Sequence, residues 1–512
     1  MAKTKRKCGV LLPVASLPSR YGIGSFSKEA YEFVDFLAAG GQSYWQILPL
    51  GQTGYGDSPY QSFSTFAGNP YFIDLDALVD AGYLNSSDLE GVDFGSDPEK
   101  IDYEKEYTNR YPILKKAYEN SPFALNPKEA WKSEAYDADR AAFESFIEEN
   151  TYWLPDYALY SAVKAAQGGR AYIEWDEDIR LRKPEAIKAY AEKYADEVRS
   201  VEFQQFLFVQ QWLALKKYAN EKGIEIIGDI PIYVAFDSAD TWSHPELFEF
   251  DEKGYPTVVA GCPPDGFSAT GQLWGNPIYR WSYHKQTGYD WWVRRIANCF
   301  KLYDVVRIDH FRGFDEYWAI PYGDKTAENG EWRPGPGFEL FQTIREKLGK
   351  KNIIAEDLGF LTPSVIRLVK KTGYPGMKVL QFAFDSREDS DYLPHNYPVN
   401  CVVYTGTHDN ETMRGWYDHV NRKDRKFAKE YVGVRSEETA AWSFIRAAFA
   451  SVAATAIIPM QDYLNLGDEA RINTPSTLGG NWEWRMLPGA DSSELSGKIL
   501  RLSQVFGRTS TK

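Results

Sequence analysis

Eight short apolar runs, each closed off by Gly, Pro or Asp, set the tightest limit on how this chain can fold. They are CGVLLPVAS (8–16), SYWQILPL (43–50), IEIIGDIPIYV (224–234), DVVRID (304–309), NIIAED (352–357), GMKVLQFAF (376–384), CVVYTGTHD (401–409) and ATAIIPMQD (454–462). Helix-like segments precede several of them. KEAYEFVDFLAAGG (28–41) leads into the second, FQQFLFVQQWLALKKYANEKG (203–223) into the third and WWVRRIANCFKLY (291–303) into the fourth. Strands that are apolar almost throughout are buried on both faces, and alternation with helices indicates a parallel sheet. Eight such units predict an α/β fold, a closed (β/α)8 TIM barrel. A doubly wound open sheet is the alternative. It is weakened because no glycine-rich phosphate loop follows the first run.

The spacing is uneven. A long, helix-rich and charged stretch (for example EAIKAYAEKYADEV, 185–198) lies between the second and third runs, and a shorter one between the third and fourth. We expect one barrel domain over 1–512. A mostly helical insertion would occupy 85–200 and a second insertion 235–290, both on the loop side of the barrel. No internal repeat or low-complexity segment interrupts this plan.

Charge and cysteine content exclude several roles. A net charge of −14 and a pI near 5.1 repel phosphate backbones and argue against nucleic acid as partner. No apolar stretch is long enough to cross a bilayer. The basic tail KTKRK and the run after it have the outline of a signal peptide. The apolar part is short and broken by Pro13, so we expect a first buried strand instead. Cys8, Cys262, Cys299 and Cys401 show no metal-ligand spacing, which suits a reducing cytoplasm.

The aromatic content is high: 16 Trp, 34 Tyr and 29 Phe, 15% of the chain. A large core accounts for most of them. Others sit in Gly-, Pro- and Asn-rich segments such as GYGDSPYQSF (54–63), FSATGQLWGNPIYRW (267–281) and GNWEWR (480–485). Rings in such loops suit a flat ligand with CH-rich faces and hydroxyl edges, that is, a sugar.

Barrel chemistry collects where the strands end. Those ends carry Asp229, then Arg307, Asp309 and His310, then Glu356 and Asp357, then His408 and Asp409. Alternation along the fourth strand puts residues 305, 307 and 309 on one face. Arg307 therefore shares a direction with Asp309 and favours its ionised form. Glu356 on the next strand, beside like charges, is expected to hold its proton as a general acid does. Two carboxyl groups driven apart in this way fit glycoside chemistry. A buried ion pair closing the barrel is the bland reading of Arg307 and Asp309 alone. A divalent metal on Asp309, His310, Glu356, His408 and Asp409 is disfavoured by the arginine aimed at the same space. His and Asp are also sequence neighbours in both pairs, and regular strands would turn their side chains apart.

The blocks VRIDHFRG, AEDLG and THDN resemble the catalytic segments of the amylomaltases, or disproportionating enzymes. These are 4-α-glucanotransferases of glycoside hydrolase family 77, in the α-amylase clan. GDSPYQSFSTFAGNPYFIDL (56–75), GDIPIYV (228–234), VVAGCPPDGFSATGQLWGNPIY (258–279), GYPGMKVLQFAF (373–384) and LGGNWEWR (478–485) agree. The resemblance covers nearly the whole chain. It implies Asp309 as nucleophile, Glu356 as general acid/base and Asp409 as the third carboxylate, which distorts the sugar. Arg307 would orient and ionise Asp309. His310, His408 and Asp229 would contact the sugar at the cleavage point, and Tyr60 would stack on it. Asp265 and Trp274 would belong to a flexible lid, and Asn481 would add polar contacts at the rim. Typical α-amylases end the third strand with an Asn-His pair; this chain reads DIPIYV there, which favours transferase over amylase.

The implied reaction is a retaining double displacement on α-1,4-glucans. A second glucan, or glucose, serves as acceptor through its 4-hydroxyl, and no metal or organic cofactor is required. The implied separation of the two carboxyl groups is about 5–5.5 Å. A retaining α-glucan hydrolase on the same scaffold is the nearest alternative.

Overall fold

The computed structural model describes residues 6–54, 56–128, 131, 133–264, 268–359, 361–387, 389–436 and 439–509. Each of the eight apolar runs supplies one strand: β1 (Lys7–Leu11), β2 (Tyr44–Gln46), β3 (Glu225–Pro231), β4 (Val305–Asp309), β5 (Ile353–Ala355), β6 (Gly376–Val379), β7 (Cys401–Tyr404) and β8 (Thr455–Pro459). They pair in parallel in the order β6-β7-β8-β1-β2-β3-β4-β5. The sheet is a (β/α)8 barrel with its seam between β5 and β6. There Ala355 N–H donates to the Pro375 carbonyl at 2.9 Å, and Met377 N–H to the Asp357 carboxylate at 2.7 Å. Gly376 makes that latch possible, because a Cβ there would lie 2.3 Å from the Asp357 carboxylate. Asp357, which reads in the sequence as one more acid at a strand end, is thereby used to close the barrel.

The barrel interior is a separate apolar cluster of Leu11, Ile227, Val305, Ile354, Val379, Val402 and Ile457, with Met377 and Tyr404. Val306, Ile308 and Ile353 face outward into the main core beneath the helices. Residues 305, 307 and 309 thus point inward, as alternation requires. Burying each large aliphatic side chain contributes roughly 1.5–3 kcal/mol. That contribution is what lets the same strand carry an arginine and an aspartate.

Between β2 and β3 the chain forms the helices Tyr103–Glu119, Asp137–Glu149, Leu154–Ala166, Pro184–Lys193 and Ala195–Glu221. Two strands that follow β3 and two that follow β4 build a second, antiparallel sheet, ordered Gln272–Pro277, Val258–Cys262, Glu316–Pro321, Glu331–Pro334. Trp274, expected in a lid loop, therefore lies in a strand, because Gln272 and Leu273 pair with Cys262 and Gly261. Asp265 lies outside the described residues.

Candidate active site

β3 and β4 are in a register that pairs Asp229 with Arg307 and Pro231 with Asp309. One terminal nitrogen of Arg307 donates to both oxygens of Asp229, at 2.8 and 2.7 Å, and the other to Asp309 at 2.9 Å. Its Nε donates to the Met377 sulfur at 3.3 Å. Burial works against the Arg307 cation, yet the Asp229 and Asp309 carboxylates outweigh it and hold the group charged. The arginine side chain is 3% exposed and Asp229 0%, against 32% for Asp309. Asp229, expected to contact the sugar, is wholly buried, and Arg307, expected to orient Asp309, bonds to it directly. They form the buried footing under Asp309, the one member of the trio open to the cleft.

After β4 the chain turns sharply. His310 takes the left-handed conformation (φ 52, ψ 49), uncommon for a residue with a side chain. That turn aims its backbone N–H at Glu356, which accepts it at 2.7 Å on one carboxylate oxygen. The other oxygen accepts Leu358 N–H at 2.9 Å. Phe311 N–H donates to the Glu356 carbonyl and Glu356 N–H to the Ile308 carbonyl, both at 3.1 Å. The carboxyl group of β5 is therefore fastened to the residue that follows Asp309. Burial raises the Glu356 pKa to about 7; the Asp309 charge adds to this, while Arg307 and the two backbone donors oppose it. Burial, rather than the like charge expected from the sequence, is the larger cause.

The His310 ring packs edge-to-face on Trp274 with centroids 4.7 Å apart. Burial, with Arg312 nearby, lowers its pKa to about 3, so it is a neutral imidazole at ordinary pH.

His408 and Asp409 come together rather than apart. β7 ends at Tyr404, the chain leaves the strand, and His408 Nε2 lies 3.2 Å from Asp409 Oδ2. Burial opposes the His408 cation, but the Asp409 carboxylate outweighs it and raises the pKa. In return Asp409 is held well below the usual carboxylate range, against burial, by His408 and by Asn473. Asn473 donates to Asp409 at 2.6 Å, and Arg471 donates to the Asp409 carbonyl at 2.9 Å. Tyr60 stacks on the His408 ring at 5.2 Å and 18°, and its hydroxyl donates to Asp229 at 3.0 Å. Trp482 lies against both rings, at 5.9 and 6.0 Å.

Asn481 departs from expectation. Its amide oxygen accepts Thr474 N–H at 2.9 Å, and its nitrogen donates to the Thr477 carbonyl and hydroxyl at 3.2 and 3.0 Å. All these contacts close the 474–481 loop. Asn473 and Trp482 are the site residues that sequence reasoning missed. Trp482 stood in the aromatic segment 480–485, but nothing local marked Asn473.

Fold and site together put the chain among the barrel enzymes that act on glycosidic bonds, since two carboxyl groups with contrasting surroundings on adjacent strands are what that chemistry asks for. Comparison narrows the class. The family model described as 4-alpha-glucanotransferase, glycoside hydrolase family 77, matches residues 12–490. A 4-alpha-glucanotransferase of Clostridium butyricum is 51% identical over 497 residues, covering 97% of this chain and 99% of that protein. One from Thermus thermophilus is 46% identical, covering 98% and 99%. The amylomaltase of Streptococcus agalactiae, solved in complex with acarbose, superposes with a TM-score of 0.94 at 44% identity, covering 99% of this chain and 100% of that one. The chain belongs to the 4-α-glucanotransferase family, glycoside hydrolase family 77.

Proposed function

We propose that this 4-α-glucanotransferase works by a retaining double displacement, with Asp309 as nucleophile and Glu356 as general acid/base. Asp309 attacks the anomeric carbon of an α-1,4-glucan, and the Glu356 proton passes to the departing 4-oxygen. A β-linked glycosyl-enzyme results. The 4-hydroxyl of a second glucan, or of glucose, then gives its proton to Glu356 and its oxygen attacks the same carbon. This releases Asp309 and restores the α-bond. The carrying observation is the 2.7 Å bond from His310 N–H to Glu356, which ties the acid to the turn following the nucleophile. A pKa near 7 suits a group that must give and then take a proton.

The remaining residues are proposed as sugar contacts. His408 Nδ1 is buried and has no protein partner among the described residues, which leaves it for a sugar hydroxyl. Tyr60 offers a ring face, and Asp409, half-open to the cleft, offers a permanent anion for hydroxyl pairs. Trp274 and His310 form an aromatic wall beside Asp309. No step needs a metal or organic cofactor. We place the enzyme in the cytoplasm on its cysteine usage; among the described residues no helix is long and apolar enough to cross a membrane.

Transfer requires sugar to outcompete water at about 55 M. Well-oriented acceptors reach effective molarities of about 10⁵ M and above, so rings that grip the acceptor suffice. Incubation with pure maltotriose tests this reading. We expect glucose plus a ladder of longer maltodextrins. Shorter products alone would identify a hydrolase.

A further inference from the structure

A cavity of about 230 Å³ opens at the end of the barrel away from the active site, where β5 and β6 begin. Its walls come from the helix Phe338–Leu348, the 349–353 connection and the 372–375 connection. The helix Pro363–Thr372 fixes the last of these. It starts at Thr362, whose hydroxyl accepts Val365 N–H at 3.5 Å, with Pro363 in its first turn, and it stops at Gly373 in the left-handed conformation (φ 75). Asn400 donates to the Gly373 carbonyl at 3.2 Å and steadies the rim.

The lining divides by chemistry. Phe341 and Tyr374, edge-to-face at 5.7 Å, make an aromatic floor. Arg345, Lys350 and Lys351 stand around it, and no Asp or Glu is among the lining residues. In a chain with 72 acidic and 58 basic residues, that selection runs against composition. Among the described residues none of the three cations has an ion-pair partner; Lys351 lies over the Phe300 ring at 5.2 Å. Lys371 adds a fourth charge near the mouth, 4.2 Å from the Phe338 ring centroid. A planar guanidinium and two ammonium groups around a ring floor are complementary to a phosphate attached to a small ring. The space is many times the roughly 10–15 Å³ that one water needs, room for a small organic ligand.

We propose that this cavity is a binding site for a small phosphate-bearing ligand, a sugar phosphate or inorganic phosphate. It is separate from the glucan cleft, yet its floor adjoins the catalytic turn. Phe341 stacks on Phe311 at 4.9 Å, and Phe311 N–H is bonded to the Glu356 carbonyl.

The test is calorimetric titration of the full chain with glucose 6-phosphate, inorganic phosphate and glucose. We expect one saturable site for glucose 6-phosphate that maltotriose does not displace, glucose binding only where maltotriose competes with it, and a loss of about ten-fold or more in glucose 6-phosphate affinity in the Arg345→Gln/Lys350→Gln double variant. Unchanged melting and maltotriose turnover in that variant verify its fold. Equal affinity for inorganic phosphate assigns recognition to the phosphate alone, and weaker affinity gives the ring floor a share; both outcomes support the site. Three results would overturn it: no binding of either phosphate probe, binding unaltered in the double variant, or displacement of the probe by maltotriose, which would move it to the glucan cleft.

Discussion

Arg307 grips Asp229 through a single nitrogen that donates to both carboxylate oxygens, leaving its second terminal nitrogen for Asp309. Two neighbouring strands can hold these three polar groups because they satisfy one another at the top of an otherwise apolar barrel. Fixed on one side by Asp229, the guanidinium has little freedom to follow Asp309. Asp309, the proposed nucleophile, is therefore presented to the cleft in a set position.

Asp309→Asn and Glu356→Gln should fold normally and lose turnover by roughly 10³-fold or more, since each removes a group proposed to react. Glucose release from maltotriose, measured beside a melting curve, checks both halves of this statement. Near-normal turnover in either variant would withdraw the roles assigned here.

Asp229→Ala should weaken the fold itself. Removing one partner of a buried pair costs about 3–5 kcal/mol, and the loss should appear as a lower denaturant midpoint. Activity should fall as well, because Tyr60 loses its anchor and Arg307 is free to move. A variant as stable as the parent would mean that Arg307 needs no second carboxylate.

The Glu356 pKa of about 7 gives two pH effects of known sign. As the proposed acid of the first step Glu356 must be protonated, so kcat/KM should decline as pH rises through about 7. Its folded pKa lies above the ordinary 4.5, so its stabilising contribution is complete below that value and is lost as pH climbs through about 7. Glu356→Gln should then melt higher than the parent at pH 8 and no higher at pH 4. Parallel melting curves at the two pH values decide the matter.

Trp274→Ala should shift the balance from transfer toward hydrolysis by removing the ring that packs on His310, if that ring, as proposed, helps keep water from the cleft. The readout is the ratio of longer maltodextrins to net reducing ends from maltotriose. An unchanged ratio would assign the ring a packing role only.

Asp409→Asn should lower the His408 pKa, since the Asp409 carboxylate is what raises it against burial. Titration of the imidazole resonances by NMR measures this directly, and an unmoved pKa would show that the 3.2 Å pair is not formed in solution.

What the sequence determined by itself is local. Strands buried on both faces must be apolar almost throughout, so all eight could be read directly, and a period of two put Arg307 and Asp309 on one side of β4 without any coordinates. What only the tertiary structure decided depends on partners far along the chain or on where a strand stops. Alternation gives no sign that β7 ends before His408, so the facing of His408 and Asp409 was not legible. Nor could local pattern show that Asp229 is sealed under Arg307, that Asp357 latches β5 to β6, that Asn481 is used within its own loop, or that Asn473 reaches Asp409 from 64 residues away. A side chain's type is written in the sequence, but its partner is chosen by the packing that brings distant segments together.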